Sequence, residues 1–309
     1  MARPARDATV RVDQTEVMTM RDDRRGTQHW IVGVDGSDAS RAALAWAVAR
    51  AAGRDVVIAA VSVWQVPVTA ASVMAGPGVL VDWHDVDAAV RARLATILAP
   101  HADSGVRIEP MVVQGGPISG LLDAAREADL LILGSRGLGG FKRMVLGSVS
   151  QHCATHSPVP TVVVRDHTDP TRFERVVVGV DGSDPSARAL AWALREVPSG
   201  TAIDAVAVCE VSPWTDEDLT RSRFADEIRE EAARIDAMVA ATDTEHRAEV
   251  HHLVGSARRE LARAAQGADL VVVGARGRGK IGSALLGSVS TWVLHEVTCP
   301  VVVVPDAAH

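Results

Sequence analysis

Residues 134–150 read GSRGLGGFKRMVLGSVS, and residues 274–290 read GARGRGKIGSALLGSVS. Each follows an apolar run, ADLLIL or ADLVVV, with the character of a strand buried on both faces, and each leads into a segment able to open a helix. The spacing Gly134, Gly137, Gly147 recurs as Gly274, Gly277, Gly287, with SVS after both. Two unrelated turns have no reason to agree over a gap of nine variable residues. In the first copy, Gly134, Gly137, Gly139 and Gly140 are expected to take positive φ and bring backbone close to a ligand. Ser148 stands where a helix N-terminus offers unpaired amides, the arrangement by which proteins hold phosphate.

Working outward, the same order of elements lies around both loops. HWIVGVDG reads as a strand, SDASRAALAWAVARAAG as a capped helix and RDVVIAAVSVW as a second strand. The segment 65–82, rich in small residues, Pro and Gly, reads as a long loop. A helix, a third strand VRIEPMVVQG, a short helix from PISGLLDAAREA and a fourth strand DLLILG lead to the glycine loop; PVPTVVVR closes the unit. ERVVVGVDG begins a second pass that ends in PVVVVP. The offset between copies is 146 at Asp35/Asp181 and 140 at Gly134/Gly274, so the second copy is six residues shorter in between. The expected division is a mobile leader over 1–28, a nucleotide-binding domain over 29–166, a polar linker over 167–174 and a second such domain over 175–309.

Strands alternating with helices imply an α/β fold, here two tandem doubly wound open parallel sheets with Rossmann-like strand order 3-2-1-4-5. In such sheets ligands bind beyond the carboxyl ends of the strands where the winding reverses, between strands one and four. Asp35 and Gly134 end those strands in the first copy, and Asp181 and Gly274 in the second. The closing strands are almost wholly valine, and a lone apolar edge invites pairing, so the two domains are expected to cover each other's last strands within one chain.

Composition narrows the classes. A net charge of −7 lacks the basic face a nucleic acid needs, so no nucleic-acid partner is expected. No apolar run reaches the roughly 18–20 residues of a membrane span. Three scattered cysteines without metal or disulfide spacing suit a reducing, cytoplasmic setting.

The site residues follow from the topology. Amides from Gly134, Ser135, Arg136, Gly137, Leu138, Gly139 and Gly140, with those of Ser148 and Val149, can ring a di- or triphosphate, and the Ser148 and Ser150 hydroxyls add donors. Their counterparts are Gly274, Ala275, Arg276, Gly277, Arg278, Gly279 and Lys280, then Gly287, Ser288, Val289 and Ser290. Arg136, Lys142, Arg143, Arg276, Arg278 and Lys280 read either as phosphate neighbours or as solvated loop charge. Gly33 and Gly179 either admit a ring or ribose against the backbone or permit a close helix contact. Asp35 and Asp181, in matching VDGSD motifs, read as acceptors for a ribose hydroxyl or ligands for Mg2+, or as turn and cap residues. Val63 and Val208 offer backbone groups to an adenine edge or are strand core. No Walker loop is present, because Ile281 follows Lys280. His152, His156 and His295 read as packed or solvated, and His251 and His252 as strand residues without ligand-spaced partners.

VGVDGSD, the paired LAWA helices, ADLLILGSRG and ADLVVVGARG, the loops ending LGSVS, and the closing PVPTVVV and CPVVVV together resemble the universal stress protein family, in its tandem, ATP-binding form. The resemblance runs from about Trp30 to Pro305. It implies ATP with Mg2+ at the residues above, one nucleotide per domain, and dimer-like pairing through the last strands; further pairing of whole chains stays open. Three functions are compatible: a nucleotide-dependent stress or growth regulator, a slow ATP hydrolase or phosphotransferase, and a scaffold with vestigial pockets.

Overall fold

The computed structural model of the chain describes residues 26–65, 83–137, 146–210, 225–278 and 286–306, with only the backbone of 83 and 84. Leu138, Gly139, Gly140, Lys142, Arg143, Gly279 and Lys280 lie outside the described residues, as does most of the expected long loop.

The first half runs β1 (Gln28–Gly33), α1 (Asp38–Ala51), β2 (Val56–Trp64), α2 (Trp83–Leu98), β3 (Arg107–Gln114), α3 (Pro117–Ala125), β4 (Leu130–Gly134), α4 (Ser148–His156) and β5 (Thr161–Val164). The second repeats it as β6 (Arg175–Val180), α5 (Asp184–Glu196), β7 (Ala202–Glu210), α6 (Ala225–Thr242), β8 (Ala248–Gly255), α7 (Ala257–Ala264), β9 (Leu270–Gly274), α8 (Ser288–Glu296) and β10 (Val301–Val304). Helices α1 and α5 begin where the Ser37 and Ser183 hydroxyls accept from the amides of Ser40 and Ser186, which satisfies an otherwise orphaned donor.

The ten strands form one sheet in the order β3-β2-β1-β4-β5-β10-β9-β6-β7-β8. Each half therefore has the expected 3-2-1-4-5 order. All neighbours are parallel except β5 and β10, which meet antiparallel with Val162 opposite Val302. The two valine strands lie at the middle of the sheet and are buried along their length. The outer edges are β3 and β8, which carry Arg107, Glu109 and Pro110 or Glu249 and His251, residues that discourage further strand addition.

Helices cover both faces. One face packs α1, α2, α5 and α6 over a single apolar cluster that runs through both halves and contains Trp46, Trp192, Leu94 and Ile235. On the other face the cluster is divided, with Leu121 and Cys153 in one part and Leu261 and Val293 in the other. Side chains also join the halves: Arg54 pairs with Glu196, Arg50 lies 4.4 Å over the Phe173 ring, and Arg165 donates to the Leu294 carbonyl at 2.5 Å. In each half the winding reverses where the first strand touches both its second and fourth partners, β2 and β4 or β7 and β9. That reversal sets the position of the site.

Candidate functional site

Each site starts at the turn after its first strand. Asp35 Oδ1 accepts from the Ser37 amide at 2.9 Å and the Ser37 hydroxyl at 2.6 Å. Asp181 Oδ1 accepts from the Ser183 amide at 3.0 Å and from the Ser183 hydroxyl. Both carboxylates thus organise the DGSD turn, one of the roles open to them from sequence. The turn itself needs Gly36 (φ +84°) and Gly182 (φ +75°), since that backbone region is costly for residues with a Cβ. Positive φ was expected instead at Gly134 and Gly137, and neither has it. Their lack of a side chain serves close approach. A Cβ on Gly134 would stand 2.5 Å from the carbonyl carbon of Ala39, and one on Gly137 would stand 2.6 Å from Asp35 Oδ2. Gly274 and Gly277 do the same against Pro185 and Asp181, the latter again at 2.6 Å.

The glycine segment is therefore pressed onto the carboxylate, and in the second half the Arg278 amide donates to Asp181 Oδ2 at 3.1 Å. Burial by itself would raise the pKa of Asp181; the hydroxyl and amide of Ser183, the Ser186 hydroxyl and the Arg278 amide outweigh it and hold the group below the usual carboxylate range. Asp181 is an anion at neutral pH.

The helices after the loops close the other side. Gly147 and Gly287 are the N-caps of α4 and α8 and supply no capping side chain, so the amides at Ser148 and Val149, or Ser288 and Val289, open each helix towards the site. The cap glycines are tied back by their own amides, to the Ser135 carbonyl at 2.7 Å and the Ala275 carbonyl at 2.8 Å. Ser150 and Ser290 are buried and donate to the carbonyls of Gly134 and Gly274 at 2.6 and 2.7 Å. Their hydroxyl protons fasten helix to strand, so they are not donors to a phosphate. Arg136 pairs with Asp166 just after β5, and Arg276 with Asp306 just after β10 at 2.9 Å. These arginines are neither solvated loop charge nor unopposed cations. Burial opposes ionisation of Asp166, and its bonds with Arg136 and Ser135 override that, lowering its pKa.

In the second half these pieces surround a cleft of about 440 Å3, inside the range of roughly 300–1,000 Å3 usual for small-molecule sites. Its polar end is built from Asp181, Gly274, Arg276, Gly277 and Arg278 together with Gly287, Ser288, Val289 and Ser290. Its apolar end holds the expected Gly179 and Val208 and also Val206, Leu261 and Val273. Cys209, Glu210 and Glu231 complete the wall. Burial, with the Glu231 carboxylate, keeps the Cys209 sulfur a thiol. Arg278 reaches across the mouth to Glu231 at 2.6 Å and donates to the Asp181 carbonyl. Leu261 and Ala257 come from α7 and Glu231 from α6; the sequence marks these helices, but nothing local says which residue reaches the cleft.

The first half places Asp35, Gly134, Gly137, Gly147, Ser148 and Val149 in the matching arrangement. At its apolar end a Cβ on Gly33 would stand 2.6 Å from Leu133 Cδ2 and 3.2 Å from Leu121 Cδ2, so Gly33 permits close packing beneath α3. One sequence reading is corrected elsewhere: the parallel register of β7 and β8 brings Asp204 and Glu249 beside His251, although Asp204 is already bound by Arg175 at 2.6 Å.

A sequence profile of the universal stress protein family matches residues 26–165 and 172–305. A universal stress protein of Mycobacterium tuberculosis is 31% identical over 287 residues, covering 88% of this chain and 95% of that protein. Another, from Mycolicibacterium smegmatis, is 31% identical over 292 residues, covering 89% and 96%. Among solved structures, that of a universal stress protein from Archaeoglobus fulgidus superposes with a TM-score of 0.62 at 20% identity, covering 90% of this chain and 98% of that one, a likeness of fold. The repeated turn, loop and helix thus recur along two family-length segments, and the chain belongs to the universal stress protein family as two such domains in tandem.

Proposed function

We propose that the protein binds ATP with Mg2+ at the strand tips of its domains and acts as a nucleotide-dependent regulator in the stress response. The observation that carries this is the second-half cleft, which joins an apolar slot between α7 and the sheet to a polar end made of glycine backbone and the first turn of α8. An adenine ring suits the slot, with the backbone of Val208 beside it, and phosphates suit the helix amides and the partial positive charge there. The donor set also fits Mg2+, which prefers a carboxylate oxygen together with phosphate oxygens and water. Asp35 and Asp181 would supply that carboxylate; the ion, when bound, neutralises phosphate charge.

A regulatory role follows from mass action. A ligand present at about one hundred times its Kd stabilises the form that binds it by ~2.7 kcal/mol, enough to set a conformational or assembly equilibrium. The test is to denature freshly purified protein and identify the released small molecules by mass spectrometry. Adenine nucleotide is the expected result. No nucleotide, either retained or taken up after incubation with ATP and Mg2+, would overturn the proposal.

A further inference from the structure

The two sites share their motifs but differ at their apolar ends. In the second half the cleft passes between α7 and the tips of β7 and β9, along Val206, Val208, Leu261 and Val273. In the first half α3 carries Gly120 where α7 carries Glu260, the same distance before the paired glycines Gly134 and Gly274. A Cβ on Gly120 would stand 3.2 Å from both Cγ atoms of Val63 and 3.3 Å from Val113 Cγ1, so the backbone of α3 rests directly on those valines. Glu260 turns back towards Gly255, with its Cγ 3.4 Å from where a Cβ there would stand.

A second difference acts at the same place. Leu133, one carbon longer than its counterpart Val273, lies over Gly33 at 2.6 Å from a notional Cβ, whereas Val273 stands 3.4 Å from the equivalent point on Gly179. A third is at the rim, where the strand registers put Trp64 in the place of Cys209. The indole Nε1 of Trp64 donates to Asp87 Oδ1 at 3.3 Å, while Cys209 lines the cleft. The first two changes add bulk, or bring the helix closer, on the face of the first site where a base would lie; Trp64 packs on the opposite face of the sheet, against α2.

Resting on the nucleotide reading above, we infer that the two sites are unequal: the second half takes the whole nucleotide, and the first, with its base end filled by Leu133 and by α3 on Val63, holds it at least about tenfold more weakly. One carbon of misfit in an apolar pocket changes affinity by roughly 10- to 200-fold, which sets the scale.

Calorimetric titration of the full chain with ATP and Mg2+ is expected to show one tight and one weak event, and native mass spectrometry a single bound nucleotide before a second. Photolabelling with 8-azido-ATP below saturation, followed by peptide mapping, is expected to mark second-half peptides without recourse to any variant. Gly277→Val is expected to remove the tight event, and Leu133→Val to strengthen the weak one by severalfold, each checked for folding by circular dichroism. Two equal events, or sub-saturating label mainly in the first half, would overturn the inequality while the nucleotide reading stood. Failure of wild-type protein to bind ATP would overturn both.

Discussion

The carbonyl of Asp35 accepts from Arg93 at 2.9 Å, and the carbonyl of Asp181 from Arg278. The acceptors are equivalent, but the arginines are not. Arg93 reaches in from α2, whereas Arg278 belongs to the glycine segment, where the first half has Leu138. In the second half α6 also offers Arg234, whose Nε lies 3.8 Å from a notional Cβ on Gly182. A carbonyl just past a strand end has no ladder partner and is expensive to leave unbonded. A cation from any nearby element can meet that need. The difference teaches that the two halves preserve a physical requirement while the chain position that fulfils it moves. In moving, Arg278 has also tied the second loop to Glu231 on α6.

The largest expected effect tests how alike the halves are at their strand-to-helix contacts. Gly134→Val drives a side chain into the backbone of Ala39 and Ser40 at 2.5–2.7 Å, while Gly274→Val meets Pro185 at 2.9 Å. Overpacking of this kind costs about 3 kcal/mol for the first variant and about 2 kcal/mol for the second, read from urea midpoints. Equal losses would break the comparison. Ser150→Ala and Ser290→Ala each leave a buried strand-end carbonyl without its donor, and each is expected to cost about 1–2 kcal/mol. Here the halves should agree, because the bonds are 2.6 and 2.7 Å and both serines are buried.

Arg278→Ala removes two contacts and Arg93→Ala removes the one to Asp35, so losses of about 1.5 and about 1 kcal/mol are expected in the same assay. A larger loss for Arg93→Ala would show that α2, not the loop, carries the more demanding cation. The smallest effect is Arg54→Ala at the ion pair that crosses between the halves, below about 1 kcal/mol at neutral pH. Burial works against ionisation of Glu196, but its bonds with Arg54 and Arg195 prevail and lower its pKa. A depressed carboxylate stabilises the fold above its unfolded pKa of about 4.3, and that contribution is lost as pH falls through the lower folded value. The gap between Arg54→Ala and wild type should accordingly narrow below about pH 4 in a pH series of melts.

Much of the fold could be read from residues alone. The runs ADLLIL and ADLVVV, the capping serines of DGSD and the LAWA helices are local signals, and their alternation limits the topology to few choices. The site was legible in outline, because topology sends Asp35 with Gly134, and Asp181 with Gly274, to one reversal point. Its details were not. Of the loop glycines expected to take positive φ, the described Gly134 and Gly137 do not, whereas Gly36 and Gly182 beside them do, and their DG pairs are turn signals in their own right. Arg136 gave no hint of Asp166, thirty residues further on: β5 beside β4 was expected, but which side chains meet beyond the strand ends is set by the register that places Gly134 opposite Val164.

What the residues determined unaided is the kind of element at each position and the order in which parallel strands are laid down, since periodicity, capping and turn chemistry act over a few neighbours. What only the tertiary structure decided is which side chain meets which. Gly120 lets α3 rest on Val63 and Val113, and Leu133 lies closer over Gly33 than Val273 does over Gly179, contacts between segments far apart along the chain. At crystal-like packing density even one carbon or one missing side chain is felt by its neighbours.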